Sequence, residues 1–130
     1  MVDEPEQSME QVIRDDGRYP PEAFVFLHEG LSRAVRDVHG TSPPPGQHHV
    51  SGPDLCEALR NLAIEKWGLL APAVLGRWNI HATIDFGNMV YLLVNNNFMR
   101  KTDEDSIEDF RDVYDFEKAF DISDDFELQE

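Results

Sequence analysis

His48 and His49 stand beside a proline-rich stretch, with Asp54 and Cys56 one turn further along the chain. These are metal-ligand and nucleophile types. A zinc centre, however, draws closely spaced ligand pairs from two places in a chain. Here there is one cysteine and one adjacent histidine pair, so the expectation is a polar loop beside a packed thiol, with no metal and no cofactor. Cys56 with a histidine such as His49 or His81 would make a nucleophile and its base. A small enzyme or metal-binding protein built on the His48/His49 loop is therefore one alternative reading. Asp103 to Ser106 begins like a calcium loop, but Glu108 falls where the loop needs glycine and Tyr114 where it needs glutamate. The chain has no glycine-rich phosphate loop, no Gly-x-Ser-x-Gly and no His-Glu-x-x-His.

The strongest constellation lies near the C-terminus. Phe110, Tyr114, Phe116, Phe120 and Phe126 alternate with Asp and Glu. Aromatic rings supply anchors in an interface, and carboxylates steer a basic partner. This pattern nominates Asp105, Glu108, Asp109, Asp112, Tyr114, Asp115 and Phe116 as binding residues. The competing use of the rings is to pin the segment onto a core. Both uses are compatible if rings face in and acids face out.

Charge supports that choice. The formal net charge is -15, and residues 101–130 supply -10 of it, with thirteen acids against three bases. Residues 48–100 are neutral and residues 1–47 carry -5. Such a field repels nucleic acid and anionic membrane and favours basic partners. The longest apolar run, Met89 to Val94, is far short of a bilayer span. No secretory leader is expected behind the acidic first residues, and the single cysteine fits a reducing cytoplasm.

These side chains need elements to hold them. Ser8, with Gln11 at the reciprocal capping-box position, starts a short helix that Asp15-Asp16-Gly17 stops. Pro20-Pro21 opens a second helix whose stripe is Phe24, Leu27, Leu31, Ala34, Val35 and Val38, ended by Gly40. Residues 40–49 form a stiff loop around three prolines. Ser51 starts a third helix carrying Leu55, Leu59, Leu62 and Ala63, closed by Trp67 and Gly68. A short helix follows from Ala71-Pro72 to Trp78. After a tight turn at 79–82, Thr83 caps a fifth helix through Leu93. The run Met89 to Val94 would also suit a buried strand, and the preceding cap favours helix. Phe98 to Arg100 and Ile107 to Phe110 read as two short strands around a polar tip. A last short helix places Phe116 and Phe120 on one face, and the acidic end should fray.

The predicted fold is mainly α with a small β-hairpin: a winged helix-turn-helix-like domain preceded by an N-terminal helical pair. The boundaries are 1–39 for the pair, 40–49 for the proline-rich loop, 50–120 for the core and 121–130 for the acidic tail. A winged helix does not by itself imply DNA binding. Helix 83–95 has no Arg or Lys, and the wing tip is Asp103-Glu104-Asp105. Neither suits base edges or phosphates. A nucleic-acid-associated protein or a DNA mimic is the remaining alternative.

His49-Val50-Ser51-Gly52, Trp67-Gly68, Asp85-Phe86-Gly87, Lys101-Thr102 with Asp105-Ser106 and Asp109-Phe110, and Tyr114-Asp115-Phe116 with Ala119-Phe120 occur in that order. The combination resembles a small uncharacterised family of planctomycete and verrucomicrobial bacteria, from about Met9 to Phe120. Asn79 departs from the glycine expected after the second tryptophan. The resemblance implies a bacterial cytoplasmic protein and supplies no mechanism. The expectation that follows is a non-enzymatic interaction module, recognising a basic protein partner through an acidic C-terminal face, with no direct nucleic-acid or membrane contact.

Overall fold

A computed structural model describes residues 7–44, 46 and 48–122. It contains α1 (Met9–Asp16), α2 (Pro21–His39), α3 (Gly52–Trp67), α4 (Ala71–Arg77), α5 (Thr83–Asn95) and α6 (Phe116–Ala119). Two 3-10 turns, Gly68–Leu70 and Ile107–Phe110, complete the described elements.

Local chemistry sets most of the boundaries. The Ser8 hydroxyl accepts from the Gln11 amide at 3.1 Å, and Gly17 ends α1 at φ 76°. The Gln11 side chain does not return to Ser8. It donates to Asp15 instead, at 2.8 Å. Ser51 and Asp54 form a full capping box at the start of α3, which satisfies donors that have no partner inside the helix. Asn79 adopts φ 66° in the turn after α4. That is the left-handed conformation a glycine would take, and asparagine is the side chain that best tolerates it. Its amide donates to the Arg18 carbonyl at 3.2 Å.

α2 and α3 make the most extensive helix pair and cross where Gly30 meets Leu59. A Cβ on Gly30 would lie 2.8 Å from Leu59 Cγ, and Leu59 is fully buried. Gly76, in α4, is different: its nearest neighbour would be His81 Cε1 at 3.8 Å, ordinary contact. Alanine gains about 1 kcal/mol of helix propensity over glycine, while overpacking a core costs about 1–3 kcal/mol. Gly30→Ala is therefore expected to destabilise the protein by about 1–2 kcal/mol, and Gly76→Ala to stabilise it by up to about 1 kcal/mol. Urea midpoints that move in the same direction for both variants would refute the close-crossing account.

α5 is apolar around most of its circumference, with Phe86, Met89, Val90 and Leu93 all buried. Such a helix must be covered on several sides. α1, α3 and the Ile107–Phe110 turn provide the cover. The stretch Met89 to Val94 is helix, as the cap signal favours. The cap itself is not the expected one. Ala82 precedes the helix, and the Asp85 carboxylate accepts from the His81 and Ala82 amides at 2.8 and 3.1 Å. Thr83 is buried and points elsewhere: its hydroxyl donates to the Phe110 carbonyl at 2.6 Å and accepts from the Val113 amide at 3.1 Å.

The winged-helix expectation is overturned. There is no β-strand among the described residues, so the hairpin at 98–110 does not form and the wing has no sheet. Two local devices take its place. The Asp105 carboxylate accepts from the Thr102 amide at 2.8 Å and curls the tip. Ser106 and Asp109 form a capping box that winds Ile107–Phe110 into a 3-10 turn. An isolated two-stranded hairpin is marginal in water, whereas this turn seats Phe110 in the core. A Cβ on Gly87 of α5 would lie 2.7 Å from Phe110 Cβ, and one on Gly52 of α3 would lie 3.0 Å from Asp109 Cβ. The two glycines make a close-fitting seat for the turn. The turn thus packs on the Gly87 side of α5, the helix that would have held the recognition position in a winged helix.

Two aromatic groups finish the interior. Phe26 lies 5.2 Å from Trp67 and 5.8 Å from Trp78, and the two tryptophans meet edge to face at 5.5 Å. Phe26 lies outside the predicted stripe of α2, whereas Val38 within that stripe is 47 % exposed. The second group joins Phe86, Tyr114, Phe116 and Phe120, with centroids 5.2–6.2 Å apart.

Burial also sets the alkaline limit of the fold. Burial pushes the Cys56 thiol up from 9.0 to about 12, helped by nearby Glu57. Burial and the hydrogen bond to Asp85 raise the Tyr19 hydroxyl from 10.0 to about 12. Burial likewise raises Tyr114. Each group is held neutral in the native state, so its stabilisation is complete below the unfolded value and is lost as pH climbs towards the folded value. The denaturant midpoint is expected to fall progressively from pH 9 to 12. A midpoint flat across that range would contradict the burial of these groups.

Candidate functional site: the carboxylate face of the C-terminal segment

Residues 102–122 run over α3 and α5 with little regular structure, fastened by side-chain hydrogen bonds to distant backbone. Thr83 holds Phe110, as described above. The Tyr114 hydroxyl donates to the Cys56 carbonyl at 2.7 Å. Arg60 Nε donates to the Ala119 carbonyl at 2.8 Å. Phe110, Ala119, Phe120 and Ile122 are buried, while Asp103, Glu104, Glu108, Asp112, Asp115, Glu117, Lys118 and Asp121 are exposed. Rings therefore point inward and most charged groups outward.

The seven nominated residues fall into three groups. Tyr114 and Phe116 belong to the aromatic group under α6, so they anchor the segment to its own core. Phe126, the last ring of the alternation, lies outside the described residues. Asp109 is half-buried and its carboxylate accepts from the Ser106 amide at 3.0 Å. Asp105 is also half-buried and accepts from His49 Nε2 at 2.9 Å as well as from Thr102. Desolvation raises its pKa, but the Thr102 and His49 hydrogen bonds outweigh that and leave it below the ordinary carboxylate value. Glu108, Asp112 and Asp115 remain as exposed carboxylates. Glu108 takes both ends of the Arg111 guanidinium, at 2.7 and 3.2 Å, which lowers its pKa. Asp115 caps α6 by accepting from Lys118 at 3.1 Å. Asp112 sits at φ 53° and is exposed, as are Asp115 and Glu117.

The His48/His49 loop closes over a cleft of about 140 Å³, bordered by Tyr91, Arg100, Lys101 and Asp105. His39 Nε2 lies 2.6 Å from the His49 carbonyl, and His49 in turn holds Asp105, so this contact ties the loop to the 102–106 turn. Cys56 does not line the cleft and is fully buried, with its thiol pushed up by that burial. His81 lies outside the cleft, exposed at the turn before α5. The Cys56 thiol thus shares neither the cleft nor a hydrogen bond with an imidazole among the described residues. No group of three or more His, Cys, Asp and Glu among the described residues is placed to hold a metal ion. No described helix is long and apolar enough to cross a membrane.

One surface was missed from sequence. Met9 and Ile13 of α1, Phe24, Val25 and Leu31 of α2 and Phe98 beyond α5 line an apolar groove of about 640 Å³. Val25 is 64 % exposed and lies off the buried stripe of α2, and this second apolar line was the available signal. No family model, curated protein or solved structure matches this chain.

Proposed function

We propose that the chain is a protein–protein docking domain whose C-terminal carboxylate face meets a basic partner. One observation carries the reading: the acid-rich segment lies on the core with its rings turned in, and exposed Asp112, Asp115 and Glu117 lie close together in sequence beside Glu108. A fixed acidic surface costs less ordering entropy on binding than a free acidic tail would. The resemblance noted in the sequence adds no activity, so the proposal rests on charge and packing. The lone thiol suits a cytoplasmic setting.

The test compares two triple variants of equal charge change. Asp112→Asn/Asp115→Asn/Glu117→Gln neutralises the proposed face, and asparagine retains capping ability at position 115. Glu22→Gln/Asp37→Asn/Glu65→Gln neutralises exposed acids on α2 and α3. A fluorescent Lys/Arg-rich peptide is titrated into each at low salt and at about 0.15 M salt. The first variant is expected to bind about tenfold more weakly than wild type, with the second nearly unchanged. Equal losses in both would show diffuse attraction to net charge and defeat the proposal.

A further inference from the structure

We infer that the groove between α1, α2 and Phe98 is a docking site for an amphipathic basic helix of a partner protein. The inference rests on the reading that the partner is basic, and it adds a second, apolar point of contact. Met9 is 40 % exposed and Val25 64 % exposed, and both border the groove. Its floor is formed by Ile13, Phe24, Leu31 and Leu93. An exposed patch of this kind on a highly charged chain marks an interaction surface.

The shape and chemistry of the groove narrow the occupant. No sheet edge exists among the described residues, so an added strand has no backbone template here. Glu10 and His28 are the groups of the lining that carry ionisable side chains, too few to orient a polar small molecule. Helical walls presenting apolar side chains suit the stripe of an amphipathic helix, read at steps of three and four residues. Charge selects the sign of its polar face. α1, which forms one wall, carries Glu10, Asp15 and Asp16 against the single base Arg14. A second copy of the chain would bring a net charge of -15 against the same sign, whereas lysines flanking a leucine stripe would meet the acids.

The probe is a peptide of about 15 residues, long enough to form helix, made of leucine and lysine with leucines on one helical face. Its control is an isomer of identical composition with the leucines scattered around the helix. Fluorescence anisotropy measures both against the full chain, and size-exclusion with light scattering gives the mass of the protein alone. Wild type is expected to bind the amphipathic peptide at least about tenfold more tightly than the isomer. Val25→Asp, at a solvent-facing position, is expected to remove that preference. Leu70→Asp, at a leucine 66 % exposed in the Gly68–Leu70 turn, is expected to keep it. Asp112→Asn/Asp115→Asn/Glu117→Gln is expected to weaken both peptides alike. Loss of that last effect alone would defeat the carboxylate-face reading and leave the groove standing. Equal binding of the two peptides by wild type, or a preference that survives Val25→Asp, would overturn the groove proposal. So would a wild-type dimer that Val25→Asp dissociates, since a second copy would then be the occupant.

Discussion

Thr83→Val is expected to lower stability by about 2–4 kcal/mol, although the two side chains have nearly the same shape. The hydroxyl is fully buried and serves two backbone groups at once, the Phe110 carbonyl and the Val113 amide. Valine fills the volume and leaves both without a partner, and each buried orphan costs about 1–3 kcal/mol. Thr83→Ser keeps both hydrogen bonds and loses one methyl, worth about 1 kcal/mol. Urea unfolding of the two variants separates polarity from packing. If serine proved as damaging as valine, the hydroxyl would not be the fastening of the C-terminal segment.

Asp85→Ala is expected to cost a similar amount, about 2–4 kcal/mol, for a different reason. The Asp85 carboxylate caps α5 through the His81 and Ala82 amides and also accepts from the Tyr19 hydroxyl at 2.6 Å. Tyr19 is 4 % exposed and accepts in turn from Asn88 at 3.1 Å. Removing the carboxylate therefore uncaps a central helix and leaves the proton of the buried Tyr19 hydroxyl, at the junction between α1 and α2, without its acceptor. Asp85→Asn retains an acceptor and should recover roughly half the loss. A double-mutant cycle with Tyr19→Phe checks the second part. Purely additive losses would mean that the Tyr19–Asp85 contact contributes nothing of its own.

The helices were legible because their ends are written in local chemistry. Ser8, Pro21, Ser51 and Gly40 act on their immediate neighbours, and α1, α2 and α3 begin and end where those residues direct. The segment after Asn97 was not legible in the same way. Two apolar clusters around a polar tip imitate a hairpin, and what decides against it is non-local: Gly52 and Gly87, far apart in sequence, leave room for Asp109 and Phe110. The Ser106-x-x-Asp109 spacing was a local clue to the 3-10 turn. Thr83 misled for a related reason. Its type suits a cap, but Asp85 supplies that function from inside the helix, which frees the threonine for a tertiary role. The sequence left room for inward rings and outward acids in the C-terminal segment, whereas two of the five nominated carboxylates, Asp105 and Asp109, prove to be turn-forming groups. The apolar groove escaped notice because periodicity finds the stripe a helix buries, and Val25 lies beside that stripe.

The three fastenings of the C-terminal segment reach back 27, 58 and 59 residues, each time to a helix made earlier in synthesis. Until residues 102–122 dock, α5 lacks its lid, and Phe86 and the seat at Gly52 and Gly87 are open to water. The newborn domain thus passes through a sticky stage that ends when Phe110 docks. An early stop codon or a proteolytic nick after Lys101 would prolong that stage indefinitely. The damage from such a truncation would be aggregation, out of proportion to the few buried side chains removed.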